Sequence, residues 1–348
     1  MKLKLSVLDQ SPIRKGGTAR QAIQETVELA RLADRLGYTR YWVSEHHNIQ
    51  GLAGSTPEVL ISHLAGETQR IRVGAGGVML PNHSSLKVAE NFRMLETLFP
   101  GRIDLGLGRA SGSDRLTASI LNPGAQFVRN DFGQQLLDLQ CFLTDTAEAD
   151  SIQTKVKAIP KAETVPELWV LTSSGESGLL AANFGLALSF AHFINPFGGP
   201  NAVRAYKERF QPSDAFDFPQ ASLGIFVLCA ETERKAEELQ TVMDKQLLNI
   251  GKGISEGVVS YKEISGHSYS EFEKAVIAQN RGRMVAGTPD KVKEEIQNLA
   301  AEYDVDEVVV TTICYDFEDR LRSYQLLADV FDLEPMRLGT ENVRSEDL

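Results

Sequence analysis

Residues 3–47, LKLSVLDQSPIRKGGTARQAIQETVELARLADRLGYTRYWVSEHH, contain the first unit of a pattern that runs through the whole chain. Leu3–Leu8 alternates apolar and polar residues, which predicts a short strand. Ala19–Leu36 carries one apolar stripe at helical spacing, and Gly37 supplies the turn that ends the helix. Tyr41–Ser44 is a second short apolar strand. A strand, a helix and a strand in this order predict parallel pairing through a crossover helix.

The same unit recurs until eight strands have been counted, and eight strands close a barrel around a core of side chains. The alternative is an open doubly wound sheet, but Asp9-Gln10-Ser11-Pro12 after the first strand is not the Gly-rich turn G-x-G-x-x-G. We therefore predict an α/β fold, a (β/α)8 TIM barrel. The predicted strands are Leu3–Leu8, Tyr41–Ser44, Ile71–Gly74, Arg102–Gly108, Leu168–Leu171, Leu186–Phe190, Ser222–Cys229 and Glu307–Thr311.

A single barrel domain is expected to take up residues 1–335, although a chain of 348 residues could also hold two ordinary domains. Two stretches exceed a minimal barrel. Residues 110–131 follow strand four, and residues 251–284 follow strand seven and its helix. Long insertions after barrel strands shape the mouth or act as lids. Residues 336–348 are predicted to form a polar C-terminal tail.

The composition argues against several classes of partner. A net charge of -11 disfavours binding to nucleic acid and to anionic membranes, because both need a basic surface. The sequence has no apolar run long enough to span a bilayer, and its N-terminus does not resemble a signal peptide. The three cysteines are far apart and match no metal spacing, which is typical of a reducing compartment. We therefore expect a cytoplasmic protein.

Histidines follow two of the predicted strands, at the end of a barrel where active sites lie. Strand two ends in Glu45-His46-His47. Adjacent strand residues point to opposite faces, so the two imidazoles should not chelate one ion, and we predict no metal site. The two histidines are either a hydrogen-bonded structural pair or present one imidazole to the cavity as acid, base or hydrogen-bond donor. Strand six ends at His192, which we expect in the cavity wall.

Three further strand ends carry candidate binding residues. Gly74–Pro81 is rich in glycine, which indicates either close approach of a ligand to the backbone or a plain bulge. Arg109 stands among small residues and suits a phosphate or carboxylate, unless it forms a salt bridge at the rim. Ser173, Ser174 and Gly175 lead directly into a helix, whose first N–H groups bind anions unless the serines are ordinary caps. Because strands four and five are neighbours, we expect the arginine and this helix start to share one phosphate.

Taken in order, these motifs resemble those of the bacterial-luciferase-like flavin-dependent monooxygenases. The resemblance covers nearly the whole chain and is strongest over Tyr41–Gly112. It implies a (β/α)8 barrel that binds reduced FMN at its mouth. The segments that carry it are Tyr41–His47, Val73–Pro81, Pro100–Arg109, Val170–His192 and Ala286–Thr311.

The resemblance also assigns roles to individual residues. His46 corresponds to the catalytic histidine of the family. Gly76 and Gly77 match a cis peptide bond between non-proline residues beneath the flavin ring, and Arg109 matches the arginine that binds the flavin phosphate. The residues that fall where the family places its second set of phosphate contacts are Ser173, Ser174 and Gly175.

Two departures from the family pattern bear on activity. The light-emitting members carry a reactive cysteine at the position of Gly108, which argues against light emission and against the luciferase aldehyde substrate. A second phosphate arginine is not evident early in the fourth helix, where the sequence continues Asn130-Asp131-Phe132. Arg129 or Arg283 would have to replace it.

The implied reaction inserts one oxygen atom of O2 into a small organic substrate. A separate flavin reductase would supply reduced FMN, because the sequence has no visible nicotinamide-binding motif. His46 would hydrogen-bond the reacting group or move a proton, Glu45 would orient a neighbouring group, and residues 251–284 would close over the site. The resemblance also implies a homodimer that packs through helices near strands two and three.

Three alternatives remain open. The barrel could bind a flavin without catalysing a reaction, which a lack of coupled oxygen consumption would reveal. It could instead use the deazaflavin F420 for hydride transfer, which the absorbance of the bound cofactor and oxygen independence would reveal. It could also be a hydrolase or lyase that uses the histidines and a metal, which metal analysis would detect.

Overall fold

A computed structural model of the protein describes residues 2–110, 112–123, 132–146 and 150–334. Its strands are β1 (Lys4–Asp9), β2 (Arg40–Val43), β3 (Arg72–Met79), β4 (Ile103–Gly108), β5 (Glu167–Thr172), β6 (Ala187–Ala191), β7 (Ala221–Cys229), β8 (Met284–Gly287) and β9 (Glu307–Thr311). Strands β1 to β7 and β9 form a closed ring of eight parallel strands, in which β6 pairs with β7, β7 with β9, and β9 with β1. The predicted (β/α)8 barrel is therefore confirmed.

Helices cover the outside of the ring. The first helix spans the predicted residues and ends at Gly37, which adopts φ 88°. At its start, Thr18 Oγ1 accepts a hydrogen bond from the Gln21 amide at 3.2 Å. The helices are α1 (Ala19–Leu36), α2 (Pro57–Glu67), α3 (Ser85–Leu98), α4 (Arg115–Leu121), α5 (Phe132–Thr144), α6 (Ile152–Lys155), α7 (Gly175–Asn183), α8 (Gly199–Arg209), α9 (Glu233–Gly251), α10 (Tyr261–Ile264), α11 (Glu271–Arg281), α12 (Pro289–Tyr303) and α13 (Phe317–Val330).

The ninth strand, β8, was not predicted from the sequence. It pairs in parallel with the second half of β7, from Phe226 opposite Met284 to Cys229 opposite Gly287. Strand β6 leaves the same edge of β7 at Gly224, so β8 occupies the edge that β6 vacates. The strand has four residues, which is too short for a periodicity to reveal it.

Strand β3 extends further than predicted. Its sequence suggested an end at Gly74, whereas the strand continues to Met79. Its register against β4 shifts between Ala75 and Val78, which is the bulge that the glycine-rich sequence allowed as one interpretation. The segment Gly76–Gly77 therefore lies inside this bulged strand rather than after it.

The two predicted insertions have helical structure where the structure describes them. The first contains α4, while residues 124–131, and with them Arg129, lie outside the described residues. The second contains α10 and α11 and leads into β8. The predicted tail at residues 336–348 also lies outside the described residues. None of the described helices is long and apolar enough to cross a membrane.

A buried ionic cluster fills the N-terminal end of the barrel interior. The Asp104 carboxylate accepts hydrogen bonds from Arg72 Nε at 2.7 Å, Trp42 Nε1 at 2.9 Å and Arg40 Nη1 at 3.1 Å. Asp104 itself is fully buried. A buried carboxylate is stable only when donors surround it, so these contacts hold β2, β3 and β4 in one register.

Arg40 extends the cluster across the barrel. Its guanidinium lies 2.9 Å from a carboxylate oxygen of Glu167 on β5 and 2.9 Å from one of Glu307 on β9. Neither strand is a neighbour of β2, so the three side chains can meet only inside the ring. Gly74 makes room for the cluster, because a Cβ there would lie 2.4 Å from the backbone oxygen of Asp104.

Replacing Asp104 by Asn keeps the shape of the side chain but removes the charge that pairs with Arg40 and Arg72. We expect the free energy of unfolding in urea to fall by about 3 kcal/mol, because breaking a buried ion pair leaves an uncompensated charge. The control is Asp306→Asn, since Asp306 pairs with Lys4 at 3.8 Å while both side chains are exposed. That change should cost less than about 0.5 kcal/mol, and equal losses in both variants would contradict the role of the cluster.

Candidate active site

A cavity of about 980 Å³ opens at the carboxyl ends of the barrel strands. This volume is at the upper end of the range of about 300–1,000 Å³ that is usual for small-molecule sites. Of the residues predicted from the sequence, those in the cavity wall are His46, Gly76, Gly77, Arg109, Ser173 and Ser174. Gly175 begins α7 directly after them, whereas Glu45 and His192 lie behind the wall.

His46 follows the end of β2 and lines the cavity. Its Nδ1 lies 3.0 Å from the Ser44 hydroxyl, which fixes the ring orientation. Burial lowers the pKa of His46 from 6.5 to about 4, and the nearby Glu45 carboxylate only partly opposes this effect. The imidazole is therefore neutral at physiological pH and can both donate and accept a hydrogen bond.

Glu45 holds two other imidazoles, that of His47 in the cavity wall and that of His83 behind it. Its Oε1 accepts hydrogen bonds from Nε2 of His47 and Nε2 of His83, each at 2.8 Å, and its Oε2 accepts one from the Met79 amide at 2.9 Å. Burial raises the pKa of Glu45, but the hydrogen bonds from His83 and His47 outweigh burial and hold the pKa below its ordinary value. The bond to Glu45 raises the pKa of His83. Glu45 is thus a buried, ionised carboxylate that orients both rings.

Sequence reasoning missed His83 and misjudged His47. His83 is 38 residues from Glu45, and its one signal was a histidine in the polar turn after strand three. His47 was expected to point away from His46, but both line the cavity because β2 ends at Val43 and strand alternation stops there. In the described part of the chain, no group of three or more His, Cys, Asp or Glu residues is arranged to hold a metal ion.

The peptide bond between Gly76 and Gly77 is cis, as the family resemblance implied. A Cβ at Gly77 would lie 2.4 Å from Leu171 Cδ1 and 2.7 Å from the Gly106 carbonyl oxygen, so no larger residue fits. The cavity therefore has bare backbone at this point of its wall, which lets a flat ligand approach the main chain closely.

Arg109 and the start of α7 form the polar end of the cavity. Arg109 Nη1 donates to Glu176 Oε2 at 2.6 Å, which brings the arginine to the first turn of α7. The Ser174 side chain makes no capping hydrogen bond, so it leaves the first N–H groups of the helix free for another acceptor. A guanidinium beside uncapped helix amides is an arrangement that binds a phosphate or carboxylate.

His192 does not join this site. Its Nδ1 lies 2.7 Å from Tyr303 Oη and its Nε2 lies 2.8 Å from the Gly282 carbonyl oxygen, outside the ring. The neighbours Ala191 and Phe193 line the cavity instead. The expectation that His192 stands in the cavity wall is corrected: the turn after β6 directs its ring to Tyr303 and Gly282 instead.

Comparisons with known proteins agree with this geometry. The model of the luciferase-like monooxygenase family matches residues 3–306. The uncharacterized protein YwcH of Bacillus subtilis (strain 168) is 52% identical over 330 residues, which are 94% of this chain and 99% of that protein. The luciferase-like monooxygenase of Escherichia coli (strain K12) is 36% identical over 329 residues, which are 94% and 97% of the two chains.

The comparison with solved structures gives the same result as the comparison of sequences. The crystal structure of apo-MsnO8 has a TM-score of 0.87 at 35% identity and covers 96% of this chain and 98% of that chain. The family model extends over strands β1 to β8 and so includes His46, Gly76–Gly77, Arg109 and the start of α7. The chain therefore belongs to the luciferase-like monooxygenase family of enzymes.

Proposed function

We propose that the protein is an FMN-dependent monooxygenase that takes reduced FMN from a separate reductase and inserts one oxygen atom of O2 into a small organic substrate. One observation carries the proposal: a single cavity combines the neutral imidazole of His46, the bare backbone at Gly76–Gly77 and the anion site at Arg109. This combination suits a flat apolar ring that carries a phosphate at one end.

The side chains present fit FMN. The bare backbone at Gly77 would support one face of the isoalloxazine ring. Arg109 and the uncapped amides of α7 would hold the phosphate, with Ser173 and Ser174 lining the cavity next to them. Glu176 pairs with Arg109 in the absence of ligand and would yield to the phosphate, because it is 72% exposed and such pairs are weak.

The fold alone is compatible with two cofactors. The oxygenating constituent of 3,6-diketocamphane monooxygenase, in complex with FMN, has a TM-score of 0.69 at 20% identity. An F420-dependent secondary alcohol dehydrogenase has a TM-score of 0.65 at 13% identity. Hydride transfer from F420 is therefore the second candidate function. Equilibrium titration of the purified chain with FMN and with F420 distinguishes the two, since we expect binding of FMN.

When bound, reduced flavin supplies the activation of O2, and the protein supplies orientation and exclusion of water. His46, being neutral, can hold one proton or one hydrogen bond at the reacting atoms. Glu45 orients the rings of His47 and His83 through its hydrogen bonds to them. Residues 253–256 from the second insertion line the mouth and would restrict water there.

A relative suggests which substrates to test first. The N-acetyl-S-alkylcysteine monooxygenase of Bacillus subtilis (strain 168) is 36% identical over 338 residues, which are 94% of this chain and 98% of that protein. A thioether therefore belongs in the panel of aldehydes, sulfonates and ketones for a reductase-coupled oxygen-uptake assay. Oxygen uptake without product formation from any panel member would favour a flavin-binding protein without monooxygenase activity.

Assembly and location are part of the same proposal. Three apolar side chains on α2 and α3 are largely exposed, namely Val59 (67%), Met94 (49%) and Leu98 (55%). Such side chains on neighbouring helices support a homodimer that packs near β2 and β3. A cytoplasmic location is supported by the three free cysteines, of which Cys229 and Cys314 are buried.

Replacing Arg109 by Met should weaken FMN binding by about 10- to 100-fold, because a hydrogen bond to a charged group contributes about 1.5–3 kcal/mol. Riboflavin lacks the phosphate and should bind both proteins equally. Flavin fluorescence measures both dissociation constants. The matched control is Arg31→Met, since Arg31 also pairs with a carboxylate, Glu67, but lies outside the cavity wall. An equal loss of riboflavin affinity would contradict a phosphate role for Arg109.

Replacing His46 by Ala should leave FMN affinity nearly unchanged and lower reductase-coupled product formation by about 100-fold or more. The loss follows from removing the neutral hydrogen-bonding group at the reacting atoms. His63→Ala is the control, because His63 is an exposed histidine on α2 and should retain full activity. Wild-type turnover in the His46→Ala protein would overturn its assignment as catalytic residue.

The His46 ring should stay neutral over the physiological range. Because burial lowers its pKa to about 4, the unfolded chain binds the proton first, and His46 reduces stability as the pH falls from 6.5 towards 4. NMR titration of ring carbon shifts should show no change for His46 between about pH 5.5 and 8. His83 should titrate above 6.5, because its bond to Glu45 raises its pKa. A midpoint near 6.5 for His46 would contradict its burial.

A further inference from the structure

The side of the cavity opposite Gly76–Gly77 is lined by apolar side chains rather than by bare backbone. In the closed ring, β7 is separated from β3 by three strands in either direction, so the two strands face each other. Apolar side chains line the cavity on the β7 side, among them Phe226 from β7 and Leu247 and Ile250 from α9. If flavin rests against β3, this wall faces the space that remains for the substrate.

One cation stands in this apolar wall. Arg283 precedes β8, and its carbonyl oxygen accepts a hydrogen bond from the Phe226 amide at 3.4 Å, which fixes it beside β7. Its side chain lines the cavity, and its Nε is buried without a hydrogen-bond partner. Within the described part of the chain, no carboxylate forms an ion pair with Arg283. Arg283 is only partly buried, so an anionic ligand that contacts the accessible part of the residue would gain an ion pair with a guanidinium that otherwise lacks one.

The other charged side chains in the cavity wall are already satisfied or exposed. Arg109 pairs with Glu176, and Asp114 accepts a hydrogen bond from Asn48 at 2.9 Å. Glu256 lies at the mouth and is exposed to solvent. The unpaired charge of Arg283 is therefore not balanced by the other groups of the wall.

A second residue of the cavity wall also has a buried polar atom without a partner. Gln246 on α9 lines the cavity and is 8% exposed, and its Oε1 is buried without a hydrogen bond. An amide oxygen accepts hydrogen bonds, so this atom requires an N–H or O–H group.

We propose that Arg283 binds a carboxylate or sulfonate group of the substrate, while the apolar wall beside it holds the hydrocarbon part. The assignment of the bound molecule as a substrate rests on the proposed monooxygenase function. The phosphate of the cofactor is the other possible anion, but Arg109 and the start of α7, at the ends of β4 and β5, already provide its site. Arg283 therefore selects anionic substrates over neutral analogues of the same length.

Calorimetric titration with octanoate, octane-1-sulfonate and 1-octanol tests the proposal, both on the purified chain and on the chain saturated with oxidised FMN. The native protein should bind the two anions about 10- to 100-fold more tightly than the alcohol. Arg283→Met should lose this preference, whereas Arg283→Lys should keep part of it, because lysine retains the charge without the planar fork. Arg234→Met is the control, since Arg234 is 88% exposed on α9 and should not affect binding.

Each outcome decides between the interpretations. Equal binding of octanoate and 1-octanol by the native protein would overturn the proposal without requiring any variant to fold. Retention of the anion preference in Arg283→Met would overturn it as well. If Arg283→Met loses affinity for FMN but not for riboflavin and still prefers octanoate, Arg283 contacts the cofactor phosphate instead. Failure of FMN to bind would refute the proposed function, while the comparison of octanoate and 1-octanol on the flavin-free chain would still test Arg283.

Discussion

The carboxylate of Asp104 accepts hydrogen bonds from three donors on β2 and β3, and the interior of the barrel depends on this shared contact. Through Arg40 the contact extends to Glu167 and Glu307, so side chains from five strands meet at one level. Buried charges tolerate little displacement, because a lost partner leaves a charge without compensation. The N-terminal end of the barrel is thereby filled with fixed, polar contacts. The open volume lies at the opposite end, where the strands finish and the cavity begins.

Strand β3 runs from the ionic cluster at the N-terminal end of the barrel to the cavity at the other end. Its glycines are needed at both places. At Gly74 a Cβ would collide with the backbone of Asp104, so the ionic cluster requires glycine there. At Gly77 a Cβ would collide with Gly106, so the cavity wall requires glycine as well. The bulge between Ala75 and Val78 separates the two regions. A glycine-rich strand in this barrel thus reflects two separate steric demands, one from the core and one from the site.

The sequence predicted most strands and helices of this fold, because local periodicity and capping residues mark them. It also located His46, Gly76–Gly77 and Arg109, since each follows or lies within a strand near its carboxyl end. It failed where a contact joins distant residues or where a strand stops. The bond from His83 to Glu45 spans 38 residues, and the four residues of β8 pair only because β6 leaves an edge. The outward position of His192 depends on the turn that follows β6 and on its hydrogen bonds to Tyr303 and Gly282, which local sequence does not reveal.

The two arginines of the cavity differ in what they must give up to bind an anion. Arg109 is held by Glu176, but both side chains are substantially exposed, and such a pair contributes less than about 1 kcal/mol. A phosphate can displace the glutamate at little cost, and the arginine is meanwhile kept in position. Among the described residues no carboxylate pairs with Arg283, so an anion that binds there has no ion pair to displace. Because the chain carries a net charge of -11, its surface does not attract anions generally, so the proposed binding of anions depends on these two arginines of the cavity wall.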